Sequence, residues 1–250
     1  RIPDHGEDVE RLRRNKILID ADVDTKQRKL LQIFTSNCIG PIFFEFIQRK
    51  GDEGFGFGEP ERKLGIKGSP TAELYFEDCT IPADRIIGEE GTGFKTALQT
   101  LDHTRPTIGA QAVGLAQGAL DQAVAYARER ETFGKKIIEH SVWEQRIGEA
   151  RTDIEMNRLL CLKAADMMDK VGNKTAQAEI AMIKVAAPNM ALKIIDQAIQ
   201  AFGGGGVSDD AGLAKAYAHI RTLRLADGPD EVHNRAIARL EVRKYANTSH

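Results

Sequence analysis

A glycine-rich run at residues 51–58 divides the chain into two parts of different character. Before it, residues 30–34 and 42–47 are rich in aromatic and branched side chains and are bounded by turn formers, a pattern typical of β-strands. After about Gly91, apolar residues recur at helical spacing almost to the end of the chain. The two parts therefore predict different kinds of structure.

Glycine and proline mark the ends of the predicted helices. Five helices are predicted, over about residues 91–131, 141–172, 175–202, 211–226 and 230–245. Ser141 is the predicted N-cap of the second helix, Pro106 predicts a kink or a first turn, and Pro188 predicts a bend. Long helices with short connections indicate a helix bundle. The expected fold class is mainly α, with a small β region ahead of the bundle that includes a strand from about Ser69.

Composition limits the partners that the chain can have. With 250 residues, 42% of them hydrophobic, it can form one large domain or two modest ones. A net charge of −2 argues against nucleic acid or an anionic membrane surface as a partner, and no apolar stretch approaches the roughly 20 residues that cross a bilayer. Cys38, Cys79 and Cys161 are odd in number, far apart and without a C-x-x-C pair, so we expect free thiols in a reducing, cytoplasmic compartment.

Two turns in the helical part have the chemistry of a ligand site. Arg130, Thr132 and Phe133 place a guanidinium group, a hydroxyl and an aromatic ring in one short turn, which suits a phosphate and a ring system but also fits a solvated helix end. Gln200, Phe202, Gly203 and Gly204 open a run of four glycines. Such a run exposes main-chain amides to a ligand, although it could equally be a flexible loop between helices.

Carboxylates mark two further positions. Asp227 lies in a bend bounded by Gly228 and Pro229, where a stiff backbone could aim its side chain at a substrate, whereas Asp230 and Glu231 are explained by the positive end of the next helix. Asp102 and Arg105 form a small charged cluster early in the first long helix, in which His103 is expected to be a surface or packing residue.

These segments together resemble the acyl-CoA dehydrogenase family over about residues 57–245. Residues 61–71 are similar to the last strands of the middle β domain of that family, and residues 102–117 are similar to its medium-chain branch. From about Glu139 the chain resembles a branch with Ala-Asp-Gly-Pro-Asp-Glu-Val-His at residues 226–233. The resemblance implies three segments: 1–56, a remnant of the β domain at 57–90, and a helix bundle for flavin and CoA at 91–250.

The resemblance implies FAD-dependent removal of hydrogens from the α and β carbons of an acyl-CoA thioester. Asp227 falls at the position of the catalytic base, Asp102 and Arg105 on the substrate side of the site. Arg130, Thr132 and Phe133 match positions that contact FAD, and the segment from Gln200 through Phe202 and Gly203 to Gly204 matches one that reaches the flavin of a neighbouring subunit. A homodimer or homotetramer and an electron-transfer acceptor are therefore expected partners. Because most of the β domain has no counterpart here, FAD binding by this chain alone is expected to be weak or absent.

Two alternatives remain open. Residues 1–56 resemble the closing barrel strands of 4-hydroxyphenylpyruvate dioxygenases, as in a chimera, and Glu45 would then be the carboxylate of an Fe(II) site whose two histidine ligands have no counterpart. No metal site is predicted on that basis. The other alternative is a non-catalytic helical scaffold that forms oligomers through the bundle.

Overall fold

The computed structural model describes residue 10 and residues 18–21, 29–34, 45–50, 59–73 and 83–246. Contacts divide the chain into two units, one comprising residues 1–62 and 68–81 and the other residues 63–67 and 82–250. The division into three segments stays a prediction.

The first unit contains a three-stranded antiparallel sheet with the order β1–β2–β3. The strands are β1 (Leu18–Ala21), β2 (Lys29–Phe34) and β3 (Glu45–Lys50). Phe34 pairs with Glu45 across β2 and β3. The strand predicted at residues 30–34 is confirmed. The strand predicted at 42–47 is confirmed over residues 45–47 and continues to Lys50, and residues 42–44 lie outside the described residues.

The expected strand from Ser69 is wrong over the part that the structure describes. Residues 69–73 have no strand pairing, and residues 74–76 of the predicted strand lie outside the described residues. The weak alternation of side chains there is therefore not accompanied by a ladder of backbone hydrogen bonds.

The second unit is a bundle of five helices, which confirms the mainly α fold class. The helices are α1 (Gly93–Glu129), α2 (Ser141–Val171), α3 (Gln177–Phe202), α4 (Leu213–Leu223) and α5 (Asp230–Tyr245). Their bounds agree with the predicted ones to within a few residues, because glycine or an extended residue follows the first three helices, at Arg130, Gly172 and Gly203.

Helix α3 is the centre of the bundle and contacts all four other helices. Its buried residues recur at three- and four-residue spacing along most of its length, as an internal helix requires, and they are Ile180, Ile183, Ala187, Ala191, Ile194, Ile195 and Ala198. Helix α1 presents a stripe of mainly small residues towards it, including Ala112, Ala116 and Ala123. The small side chains on both helices favour close packing of their backbones.

The structure gives the helix positions of Ser141, Pro106 and Pro188. Ser141 is the first helical residue of α2 rather than its cap, since His140 is the cap residue and no side chain caps the end. Pro106 and Pro188 lie inside α1 and α3, and both helices continue through them. Pro106 therefore does not mark a first turn, and Pro188 is fully buried within the bundle.

Helices of the described residues include none that is long and apolar enough to span a membrane. Cys161, on α2, is a free thiol as predicted, while Cys38 and Cys79 lie outside the described residues. Burial raises the pKa of the Cys161 thiol to about 11, so this side chain behaves as a small apolar residue.

Candidate active site

The turn between α4 and α5 holds Asp227 in a backbone conformation that few residues adopt. Its φ of 56° lies in the left-handed region, which costs a residue with a side chain roughly 1–2 kcal/mol. Gly228 follows with a φ of 103°, and Pro229 is extended ahead of α5. The backbone around Asp227 is thus strained on one side and stiffened by proline on the other, in agreement with the predicted bend.

Two neighbouring side chains of α1 hold Asp227. Thr104 Oγ1 donates to Asp227 Oδ2 at 2.5 Å, and Arg105 donates through Nε and Nη2 to the Asp227 carbonyl oxygen at 3.4 and 3.3 Å. Arg105 also forms an ion pair with Asp102, at 2.6 Å between Nη1 and Oδ1. The guanidinium charge is therefore balanced by Asp102, and within residues 83–246 the Asp227 carboxylate forms no ion pair.

His233, one turn into α5, is a third support of this turn. The side chain is buried, and its Nε2 lies 3.1 Å from the Asp227 carbonyl oxygen. Because a carbonyl oxygen only accepts, Nε2 carries a hydrogen and donates it. Burial lowers the pKa of His233, and the hydrogen bond to Asp227 opposes that effect. The neutral imidazole therefore supports the turn as a hydrogen-bond donor.

A cavity of about 310 Å³ opens among α1, α3 and α5 beside these residues. Its polar wall is formed by Asp102, Arg105, His233, Arg239 and Arg243, and Ile180, Val232 and Leu240 contribute to its apolar wall. The structure thus brings Asp102, Arg105 and Asp227 together, as predicted. The cavity combines an apolar surface with three guanidinium groups, a combination that suits a ligand with both an apolar part and anionic groups.

The turn after α1 is a hairpin of two short strands, β4 (Glu131–Thr132) and β5 (Lys135–Lys136). Both residues of its loop, Phe133 and Gly134, have positive φ, 53° and 78°, as the tight two-residue hairpin requires. The Phe133 side chain is 99% exposed. A phenylalanine in a strained, fully exposed position gains nothing from packing in the described part of the chain.

Arg130 and Thr132 flank this exposed ring. Arg130 caps the end of α1, its N–H donating to the Tyr126 carbonyl oxygen, and its side chain is exposed. Thr132 Oγ1 lies 3.5 Å from His140 Nε2. The hairpin therefore presents a guanidinium group and an aromatic ring outward.

The glycine run follows α3 as a short 3₁₀ turn, Gly203–Val207. Gly203 has a φ of 61°, which favours glycine. At Gly204 and Gly205 a Cβ atom would meet nothing within 4 Å, so the packing of the described residues does not require glycine at either position. Gln200 is exposed in the last turn of α3. The space beside these glycines fits close approach by a ligand.

The hairpin and the glycine run lie at the same end of the bundle. The rings of Tyr126 and Phe202 stack with centroids 4.2 Å apart, which joins the end of α1 to the end of α3. Arg105 lies 21 residues before Tyr126 on α1, about 30 Å away at 1.5 Å per residue. Within one copy of the chain, Asp227 is therefore too far from the hairpin and the glycine run for all three to contact the same ring system.

A family model for the C-terminal domain of acyl-CoA dehydrogenases matches residues 91–241, which cover α1 to α4, most of α5 and all of these side chains except Arg243. The chain belongs to the acyl-CoA dehydrogenase family. The recognition made from residues 102–117 and 226–233 is thereby confirmed.

Relatives of known name agree with this assignment. The chain is 44% identical over 198 residues to the probable acyl-CoA dehydrogenase FadE25 of Mycobacterium tuberculosis, with 79% of this chain and 51% of that protein covered. It is 49% identical to acyl-CoA dehydrogenase family member 11 of Rattus norvegicus, over 70% of this chain and 22% of that protein. The chain thus spans about half the length, or less, of these acyl-CoA dehydrogenases.

Solved structures show the same fold. Butyryl-CoA dehydrogenase from Megasphaera elsdenii superposes with a TM-score of 0.70 and 30% identity, over 91% of this chain and 56% of that one. The FAD complex of PigA superposes with a TM-score of 0.69 and 29% identity, over 80% and 52% of the two chains. A structure reported with an electron transferring flavoprotein of Acidaminococcus fermentans gives 0.70 and 37%, over 80% and 52%. None of these three supports the dioxygenase resemblance, from which alone Glu45 was considered as an iron ligand.

Three residues that hold the Asp227 turn were not among those predicted from the sequence. His233 and Thr104 contact Asp227 directly, and Lys184 donates to the carbonyl oxygens of Leu223 and Gly228 on either side of it. A signal for Lys184 existed, because it is the one charged residue among the buried positions of α3. The hydroxyl of Thr104 and the imidazole of His233 carried no comparable signal, since both occupy helix positions where polar residues are ordinary.

Proposed function

We propose that this chain supplies the catalytic base, the acyl-CoA contacts and part of the cofactor contacts of an FAD-dependent acyl-CoA dehydrogenase. The observation that carries the proposal is the environment of the Asp227 carboxylate. It is fixed at Oδ2 by Thr104, forms no ion pair with another residue of 83–246, and has no donor on Oδ1 within the same range. A carboxylate held in place with one free oxygen can accept a proton.

The proposed reaction forms a double bond between the α and β carbons of an acyl-CoA thioester. Asp227 Oδ1 takes the α proton, and Thr104 keeps the carboxylate oriented while it does so. FAD, when bound, would supply the acceptor for the hydride that leaves the β carbon. Arg105 and Asp102 line the cavity beside Asp227 and are proposed to position the thioester, while the Arg239 and Arg243 guanidinium groups favour the anionic CoA moiety.

The cofactor contacts are proposed at the opposite end of the bundle. The space beside Gly203 and Gly204, next to Gln200 and Phe202, fits a phosphate or a ring edge, because packing in the described residues does not use that space. At the hairpin, Arg130 suits a phosphate, and Phe133, with Thr132, suits the cover of a ring. The family resemblance implies FAD, a cofactor that has both phosphate groups and a ring system.

The distance of about 30 Å between these contacts and Asp227 favours a homodimer or homotetramer. In such an assembly the hairpin and glycine run of one copy serve the flavin beside Asp227 of another. Three apolar side chains on α2, those of Met156, Leu159 and Leu162, are more than half exposed and provide a surface that another chain could cover. An electron-transfer protein is the proposed acceptor for the reduced flavin, and a cytoplasmic location stays a prediction.

The test compares Asp227→Asn with the unchanged chain after loading with FAD. Anaerobic addition of an acyl-CoA should bleach the flavin, and Asp227→Asn should slow the bleaching by about 10²–10⁴-fold, the usual contribution of a positioned base. Asp121→Asn is the matched control and should bleach at the original rate, because Asp121 is an exposed carboxylate on α1, 16 residues after Arg105 and eight before the end of that helix.

Release of α deuterium from labelled acyl-CoA gives a second readout that requires no hydride transfer. Full bleaching and full deuterium release by Asp227→Asn would refute the assigned base. A chain that retains no flavin would instead favour the helical scaffold without catalysis.

A further inference from the structure

Lys184 is the largest fully buried side chain of the described residues and carries an ammonium group into the core. It lies on α3 among Ile180, Ile183 and Ala187, all of them buried as well. Removing a charge from water is costly unless hydrogen bonds and opposite charges compensate. A stable fold with this residue at this position therefore needs a specific set of partners for it.

The partners of Lys184 are two backbone carbonyl oxygens that enclose the Asp227 turn. Nζ donates to Leu223 O at 2.6 Å, at the end of α4, and to Gly228 O at 3.1 Å, two residues before α5. Capping of a helix C-terminus explains the first bond. It does not explain the second, because Gly228 belongs to no helix. The two bonds together join the start of the turn to its end.

The backbone between these two carbonyls is the part of the site that is under strain. Asp227 and Gly228 have consecutive positive φ angles, and conformations of this kind persist only where the surroundings overdetermine them. Arg105 and His233 hold the Asp227 carbonyl oxygen, but both act at the middle of the turn. Lys184 acts at its two ends.

A side-chain ion pair closes the same turn from the outside. Arg224 contacts Asp230 Oδ2 through Nε at 2.8 Å and Nη2 at 2.7 Å, and Asn189 of α3 donates to the same oxygen at 3.0 Å. In this pair the Arg224 side chain is 34% exposed, whereas Asp230 is buried. The ion pair therefore has one partner in contact with water, while the Lys184 ammonium group is fully buried.

We propose that Lys184 is a positioning residue for the base of the proposed dehydrogenation: by bridging Leu223 O and Gly228 O it sets the position of Asp227 without touching it. The inference rests on the proposed role of Asp227. Burial lowers the pKa of Lys184, and the Asp230 and Asp227 carboxylates oppose that effect while Arg105 adds to it. The side chain remains a donor to carbonyl oxygens in either protonation state.

The experiment replaces Lys184 in the full chain and measures the turn directly. Lys184→Met keeps the length and the apolar stem but removes the donors, and Lys184→Arg restores donors. Ile195→Ala is the control, because Ile195 is equally buried on α3 and should lower overall stability without touching the turn. Amide hydrogen exchange is followed at Leu225 and Ala226, whose N–H groups donate to Thr222 O within the turn.

The expected result is local. Lys184→Met should speed exchange at Leu225 and Ala226 by roughly tenfold to a hundredfold beyond any change in α1, as the loss of hydrogen bonds from a charged donor would. Lys184→Arg should recover much of the protection. In the FAD-loaded protein, Lys184→Met should lower kcat and leave KM nearly unchanged, since the turn places the base and does not hold the substrate. Ile195→Ala should keep kcat within about twofold at temperatures where it is folded.

Exchange that rises to the same extent in α1 and in the turn, as with Ile195→Ala, would overturn the inference and make Lys184 an ordinary structural residue. Failure of the proposed function is distinguishable from this outcome. If Asp227→Asn kept full turnover while Lys184→Met still sped exchange in the turn, the base would be wrongly assigned. The bridge from Lys184 to the two carbonyl oxygens would still hold the turn. If Asp227→Asn lost turnover and Lys184→Met left the turn protected, only the bridge would be wrong.

Discussion

Gly228 allows a quantitative test of how the Asp227 turn is built. A Cβ at this position would lie 3.0 Å from His233 Nε2, and the φ of 103° is one that residues with side chains rarely adopt. The backbone strain of Gly228→Ala is about 1–3 kcal/mol. If His233 moves aside, its hydrogen bond to Asp227 O is lost as well, which costs about 0.5–1.5 kcal/mol. We therefore expect the free energy of unfolding to fall by about 1.5–4.5 kcal/mol.

Gly172→Ala separates the two contributions. Gly172 also has a positive φ, 79°, but a Cβ there would meet nothing within 4 Å. Its substitution therefore costs only the backbone strain, and the entropy that glycine contributes to the unfolded chain cancels between the two variants. The difference between them, about 0.5–1.5 kcal/mol, measures the contact with His233.

Urea unfolding followed by tryptophan fluorescence measures these values for the helical unit. Trp143 is the only tryptophan of the chain, and it packs against the core of the bundle. In a His233→Ala background the contact is absent, so Gly228→Ala should then cost no more than Gly172→Ala. A difference that survives in that background would refute the assignment of the extra cost to His233.

Three further predictions follow from single side chains. Burial lowers the pKa of His233 below its ordinary value of 6.5, so the unfolded chain binds more protons than the folded chain below pH 6.5. The contribution of His233 to the free energy of unfolding should therefore be constant above pH 6.5 and fall as the pH drops through the folded pKa. His233→Gln should reduce this decline in a pH series of urea unfolding curves. Phe133→Gly removes a left-handed phenylalanine that is exposed; thermal unfolding should show unchanged or higher stability, by up to about 1 kcal/mol, while flavin retention falls, and a loss of stability would show that the ring packs. Burial raises the pKa of Cys161 to about 11. In a chain with Cys38→Ser and Cys79→Ser, this thiol should therefore react with a thiol reagent at pH 8 roughly a hundredfold more slowly than after unfolding. Equal rates in the folded and unfolded chain would contradict the burial of Cys161.

The sequence was sufficient to predict the bundle because its signals are local. Apolar spacing identified the helices, and Gly172 and Gly203 marked ends that the structure confirms. Asp227 could be singled out because Gly228 permits a sharp bend and Pro229 restricts the backbone that follows. The cap at Ser141 was wrong because a hydroxyl near a helix start does not have to turn back onto the backbone, and His140 takes the cap position without a side-chain hydrogen bond.

The remaining parts of the site depend on contacts that leave no pattern in the sequence. Lys184 reaches carbonyl oxygens 39 and 44 residues away, and every residue has a carbonyl oxygen, so no residue type marks the acceptor. The same holds for Arg105, which meets the backbone oxygen of Asp227 rather than its carboxylate. Distances of this kind become visible only when α1, α3 and α5 are packed together.

Most of the side chains that hold the turn contact its backbone, so the position of Asp227 can be tested separately from the chemistry of its carboxylate. Arg105 and His233 hold the Asp227 carbonyl oxygen, Lys184 holds that of Gly228, and Thr104 alone contacts the carboxylate. Replacing the carboxylate by an amide should therefore leave the turn in place. Loss of turnover in Asp227→Asn can then be attributed to the missing base, and loss of turnover in Lys184→Met to a base that is present but misplaced. Only the second should be accompanied by faster exchange at Leu225 and Ala226.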